Sequence, residues 1–118
     1  MIENLDNSGL GSVTENYDIF YIDLWGVVHN GINLHKNAIK ALEEITKAKK
    51  KYVLLTNAPR PNKTVKSLLE KMGMNNEIRE NVYSSGEAAL SYLKKNFLNN
   101  KFYHLGPPRD FDLFLDFK

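Results

Sequence analysis

The chain has no cysteine, so it offers neither a disulfide framework nor a thiolate metal site, and its composition is compatible with a reducing compartment. It also lacks a strong charge of either sign, since 16 basic residues against 14 acidic ones leave a formal charge of +2. The largest basic cluster, Lys47 with Lys49, Lys50 and Lys51, falls at a predicted helix end, where cations complement the helix dipole and stay solvated. A nucleic-acid footprint would need a basic face with base-reading or stacking groups, and nothing supplies one. Long hydrophobic runs are missing too. The most apolar stretch, residues 19–28, is broken by Asp23 and is far shorter than the roughly 20 residues of a membrane helix. The opening residues Met1-Ile2-Glu3-Asn4-Leu5-Asp6 are acidic and polar, unlike the basic and then apolar start of a signal peptide. These absences argue against secretion, a membrane span and a nucleic-acid partner, and make the cytoplasm the simplest address.

What remains is enough for one small α/β domain. The 118 residues match the usual size of a single domain, and a 42% hydrophobic content can build a real core. Residues 1–16 carry Asn, Ser, Gly and Thr with little periodicity and read as a loose leader or a short capping segment. From Tyr17 the run Ile19-Phe20-Tyr21-Ile22 is continuous, aromatic and β-branched, the pattern of a strand covered on both faces in a parallel sheet. It ends at Asp23 or Leu24. Ala38, Ile39, Leu42 and Ile45 then fall at helical spacing.

A second short apolar run, Tyr52-Val53-Leu54-Leu55, leads directly into the polar loop Thr56-Asn57-Ala58-Pro59-Arg60-Pro61. Pro61 or Asn62 opens the next helix, with Val65, Leu68, Leu69 and Met72 as its apolar stripe and Gly73 as its carboxyl cap. Val82-Tyr83 forms a brief third strand, after which a serine starts a helix striped by Ala88, Ala89, Tyr92, Leu93 and Phe97. Strands alternating with helices in this way predict βαβ units on a parallel sheet, where ligands collect at the carboxyl ends of the strands. Asp23, Thr56 and Ser84 fall at those ends. The core is expected over residues 17–98, with a boundary near residue 99. Lys101 to Leu105 reads as a fourth strand containing a structural His104, and Phe111, Leu113, Phe114, Leu115 and Phe117 form an apolar tail with little to pack against.

A carboxylate at a strand tip can attack phosphorus, because the sheet end fixes its position while a cation and nearby amides offset charge. It can equally cap the next turn, and position alone does not separate these readings for Asp23. Thr56-Asn57 likewise suits either an ordinary turn or a phosphate site. Arg60 is near enough to reach an anion, although an arginine in a proline-rich loop is commonly solvated. Ser84 and Ser85 fit a helix cap better than a nucleophile, since no histidine is placed to activate them. A dinucleotide-binding unit would need a glycine-rich turn opening a helix after strand one, a pattern that Gly26 and Gly31 do not make.

Three segments together resemble one family. Asp23-Leu24-Trp25-Gly26-Val27-Val28-His29-Asn30-Gly31, then Leu54-Leu55-Thr56-Asn57, then Val82-Tyr83-Ser84-Ser85-Gly86-Glu87-Ala88-Ala89 with Tyr92-Leu93 are similar to the haloacid dehalogenase superfamily, class IIA branch. That branch includes nucleotide and pyridoxal phosphate phosphatases. The resemblance implies a three-layer Rossmann-like core with a parallel sheet, here incomplete, with residues 99–118 beginning a cap domain. It implies Asp23 as the nucleophile that becomes phosphorylated and as a Mg²⁺ ligand, with the backbone carbonyl of Trp25 as a second ligand. Thr56 resembles the hydroxyl that bonds the transferring phosphoryl group, and Asn57 its orienting neighbour. The implied substrate is a small phosphorylated metabolite.

The sequence departs from the family pattern in two places. The family's second aspartate, which protonates the leaving group, is replaced by Trp25, a residue resembled in one subgroup of the branch. Indole cannot serve as general acid or base, and losing that group typically costs about 10²- to 10⁴-fold in rate. His29 is a candidate substitute, since an imidazole titrates near neutrality. The family's later lysine and acidic pair lie beyond a cap domain, and Lys94, Lys95, Lys101, Asp110, Asp112 and Asp116 do not match their context. The expectation is an amino-terminal fragment with weak magnesium affinity and low or no turnover unless another chain completes the site. The alternative is a non-catalytic remnant or interaction module that self-associates through an exposed sheet edge and the apolar tail.

Overall fold

A computed structural model of the protein describes residues 4–117. Its centre is a parallel sheet of three strands in the order β1-β2-β3, with β1 spanning Ile19–Asp23, β2 Lys51–Thr56 and β3 Val82–Ser84. Ile22 pairs with Leu54 and Leu54 with Val82, so Phe20, Ile22, Tyr52, Leu54 and Val82 share one face. The helices α1 (Lys36–Lys47), α2 (Asn62–Lys71) and α3 (Asn76–Arg79) contribute Leu42, Ile45, Val65, Leu69 and Ile78 to a single core with that face. The four-residue α3, held by Asn75 accepting a hydrogen bond from Ile78 N–H at 3.0 Å, is too short for a periodicity to announce. Gly73, at φ 91°, closes α2 in the left-handed conformation predicted for its carboxyl cap.

The opposite face corrects the expectation of a strand covered on both sides. Ile19, Tyr21, Leu55 and Tyr83 are exposed there, Tyr21 by 68%. Helices α1 to α3 feed the core under the first face, and α4 (Ser85–Phe97) packs beside β3. β1 is moreover an edge strand of the described sheet, so its outer backbone groups have no strand neighbour.

The ends of the chain carry short structure of their own, and one expected strand there does not form. Residues 1–3 of the expected leader lie outside the described residues. Beyond them, two 3-10 turns, Leu10–Ser12 and Thr14–Asn16, place Leu10 against the core and bury Val13. No fourth strand forms over Lys101 to Leu105 among the described residues; that stretch is irregular and leads into a 3-10 helix, Pro108–Phe114. The apolar tail packs on itself instead of lying free. Phe102 meets Phe117 with ring centroids 4.8 Å apart and Phe114 at 5.9 Å, and His104 meets Phe114 at 5.3 Å. The segment is tied to the core by Lys94 to Asp116 at 2.5 Å and Arg60 to Asp112 at 3.4 Å. Among the described residues no helix is long and apolar enough to cross a membrane.

Candidate active site

The carboxyl ends of the three strands converge as parallel pairing requires. Asp23 stands in register with Leu55, Thr56 with Ser84, and Leu24 N–H extends the first ladder by donating to Leu55 C=O at 3.1 Å. A cleft of about 380 Å³ opens over these ends, lined by Asp23, Thr56, Asn57, Tyr83 and Ser85 among others. Asp23, Thr56 and Asn57 therefore meet in one cleft, with Ser84 and Ser85 also on its wall. A larger hollow of about 540 Å³ between the leader turns and α1 is lined by Leu10, Lys40, Glu44 and their neighbours, and holds none of them.

Asp23 is exposed, and its carboxylate makes no hydrogen bond or ion pair among the described residues. It does not cap the turn that follows. That turn closes through its own backbone, with Val28 and His29 N–H donating to Leu24 C=O at 2.8 and 3.1 Å and Gly26 N–H to His29 C=O at 2.8 Å. The Trp25 carbonyl is left without a donor among the described residues. A free carboxylate and a free carbonyl are hard oxygen donors of the type Mg²⁺ takes, the rest of its shell being water and substrate phosphate. No third acidic or histidine ligand gathers with them among the described residues. The donor set fits the ion in kind and is sparse in number.

Thr56 Oγ1 accepts from Ala58 N–H at 3.2 Å, which makes it the turn residue the sequence allowed. The bond occupies the oxygen as an acceptor and leaves the hydroxyl proton free to donate into the cleft. Asn57 is exposed beside it. The loop after Thr56 is clamped from β3 and α4 by contacts that sequence reading missed. Ser84, 1% exposed, donates through Oγ to Arg60 C=O at 2.6 Å and caps α4 by accepting from Glu87 N–H at 3.0 Å. Gly86 N–H donates to Ala58 C=O at 3.0 Å, and a side chain at Gly86 would collide with the Arg60 backbone. Glu87 accepts from Asn62 N–H at 2.8 Å, and Asn62 Oδ1 from Ser84 N–H at 2.9 Å. The Ser84 to Glu87 motif marked a helix start in the sequence, and nothing there revealed that it also grips the loop some 25 residues earlier.

Arg60 is half-buried and turns to an ion pair. It shares Asp112 with Thr64, whose hydroxyl donates to Asp112 Oδ2 at 2.5 Å, while Arg60 Nε and Asp112 Oδ1 are buried without partners. Trp25 is 62% exposed yet fixed. Its ring meets His29 edge-on with centroids 5.4 Å apart and lies over Gly31, where a β-carbon would run into the indole. Gly31 also has φ 89°, so only glycine satisfies both demands. His29 is 5% exposed, and its Nδ1 accepts from Gly31 N–H at 2.9 Å. Burial pushes its pKa below the ordinary histidine value, repulsion from His35 adds to that, and the Asp23 carboxylate pulls the other way. A neutral imidazole used as an acceptor is a poor proton donor, so the geometry casts His29 as a brace for Trp25.

Residues 20–116 match a family model described as haloacid dehalogenase-like hydrolase. Comparison with curated proteins finds no match. Among solved structures, the chain is similar to a haloacid dehalogenase-like family hydrolase from Brucella suis 1330, at 29% identity and a TM-score of 0.79 over 92% of this chain and 40% of that one. It shares its fold with a 4-nitrophenylphosphatase from Thermotoga maritima, at 23% identity and a TM-score of 0.67 over 86% of this chain and 39% of the other. NagD from E. coli K-12 gives 18% identity and a TM-score of 0.64 over 86% and 41%. The chain thus spans about two-fifths of the length of these structures.

Proposed function

The chain belongs to the haloacid dehalogenase-like hydrolases, and from that premise we propose that it carries the nucleophile half of a class IIA phosphatase acting on small phosphate monoesters through an aspartyl phosphate. The observation that carries this reading is the free Asp23 carboxylate at the end of β1, in one cleft with the Thr56 hydroxyl and Asn57. An Asp23 oxygen forms the bond to phosphorus as the ester oxygen departs, and water then cleaves the acyl phosphate to regenerate Asp23. Thr56 donates its free hydroxyl proton to a phosphoryl oxygen, and the Asn57 amide orients the group. The Asp23 carboxylate and the Trp25 carbonyl would hold Mg²⁺, which offsets the charge between carboxylate and phosphate.

Among the described residues Trp25 cannot protonate the departing oxygen, and His29, its Nδ1 engaged by Gly31 N–H and its pKa lowered by burial, is a poor proton donor. Turnover by this chain alone should therefore be slow, and a further chain or segment that supplies a lysine and acidic groups should raise it. The test is hydrolysis of phenyl phosphate with and without Mg²⁺. Slow, magnesium-dependent release of phosphate that disappears in Asp23→Asn supports the reading; release that survives the substitution contradicts it.

A second reading, an interaction module that keeps the fold without turnover, is favoured by the free edge of β1 and the bare face carrying Ile19, Tyr21, Leu55 and Tyr83. Concentration-dependent association in sedimentation, lost when Tyr21 and Leu55 are changed to lysine and glutamate, supports that surface. A monomer at all concentrations counts against it.

A further inference from the structure

A second cavity adjoins the phosphate cleft and shares Thr56 and Asn57 with it. It measures about 170 Å³, close to the size that accepts a benzene ring. Its apolar wall comes from Leu24, Trp25, Ala58, Val65 and Leu68, and His29, Arg60 and Thr64 join the shared Thr56 and Asn57 as its polar part. Arg60 and Thr64 are already held by Asp112, and His29 Nδ1 accepts from Gly31 N–H.

The indole of Trp25 is the largest flat surface of this cavity and is set in place before any ligand arrives. Gly31 leaves room for the ring, and His29 meets it edge-on. Such bracing lowers the ordering cost that stacking would otherwise carry. The chemistry of the departing group points the same way. With no general acid beside Asp23, the ester oxygen must leave as an anion. Phenols ionise near pH 10, whereas aliphatic alcohols lie closer to water at about 15.7, so an aryl ester loses far less from the missing proton.

Resting on the phosphatase reading above, we infer that the Trp25 cavity is an aryl subsite, and that the substrates are phosphate monoesters of aromatic alcohols, with the ring against Trp25 and the phosphate at Asp23. The substitution that removes the usual acid thus also supplies the surface that selects substrates able to do without it.

Trp25 is the only tryptophan in the chain, so its fluorescence reports the subsite directly. The Asp23→Asn protein, which cannot turn over, is titrated in Mg²⁺ with phenyl phosphate and separately with propyl phosphate, with calorimetry as a second readout. Phenyl phosphate should bind roughly tenfold more tightly and change the emission saturably, a difference of the size aromatic pairing supplies. In Asp23→Asn/Trp25→Ala, followed by calorimetry, the ratio of the two affinities should fall to about one. Equal affinities in the presence of Trp25 overturn the aryl subsite and leave the phosphate site standing. Binding of neither ester overturns both.

Discussion

The Ser84 hydroxyl reaches across from the end of β3 to the backbone carbonyl of Arg60 at 2.6 Å, and with that bond it fixes the loop that begins at Thr56. The same oxygen caps α4. One buried hydroxyl thereby links the third sequence motif to the second, and so holds the loop that follows the cleft-lining Thr56 in place from behind.

Removing it should leave the Arg60 carbonyl and the Glu87 amide unpaired in a buried setting, at a cost of about 1–3 kcal/mol. Ser84→Ala is expected to lower the urea midpoint accordingly with an unchanged slope. Ser85→Ala is the control, because Ser85 is exposed and its hydroxyl makes only a 3.4 Å bond to Thr56 C=O, and it should shift stability by less than about 0.5 kcal/mol. Equal effects of the two substitutions would refute the clamp.

Gly31→Ala should be costly for two separate reasons. The backbone conformation at φ 89° disfavours any side chain, by about 1–2 kcal/mol, and the added methyl would enter the Trp25 ring. The variant is expected to show a lower thermal midpoint together with a shifted tryptophan emission as the indole is displaced. An emission spectrum identical to that of the parent would mean that Gly31 does not set the ring.

His29 makes stability depend on pH in metal-free buffer. Because its pKa is depressed in the folded chain, the unfolded chain takes up the proton first as pH falls, and the folded state is penalised. The full stability is present above about pH 6.5 and declines as the pH drops from there towards the folded-state value. Protonation would also cost Gly31 N–H its acceptor. His29→Gln, which does not titrate, should flatten this part of the urea-midpoint profile between about pH 7 and pH 5. A profile as steep as the parent's would assign the acid sensitivity elsewhere.

The strand ends were readable because a short apolar run followed by Asp or Thr-Asn states both the strand and its tip. Coverage of β1 was not, since Ile19 and Tyr21 have the same composition whether or not a layer lies over them. Lys101 to Leu105 looked like a strand by its aromatics, but Gly106-Pro107-Pro108 bends the chain at once, and Phe102 and His104 satisfy themselves against the phenylalanines that follow. Asp23, Thr56 and Asn57 line one cleft because all three follow or end adjacent parallel strands. The grip of Ser84, Gly86 and Glu87 on the loop, and the bracing of Trp25 by Gly31, are contacts between segments that periodicity cannot express.

Covalent labelling of Asp23 tests the central claim most directly. The chain is incubated with Mg²⁺ and phenyl phosphate, quenched in acid, digested and mapped by mass spectrometry. A phosphoryl group on Asp23, absent from Asp23→Asn, is the predicted result. Phosphate release with no label on Asp23, or a label on another residue that persists in Asp23→Asn, would contradict it.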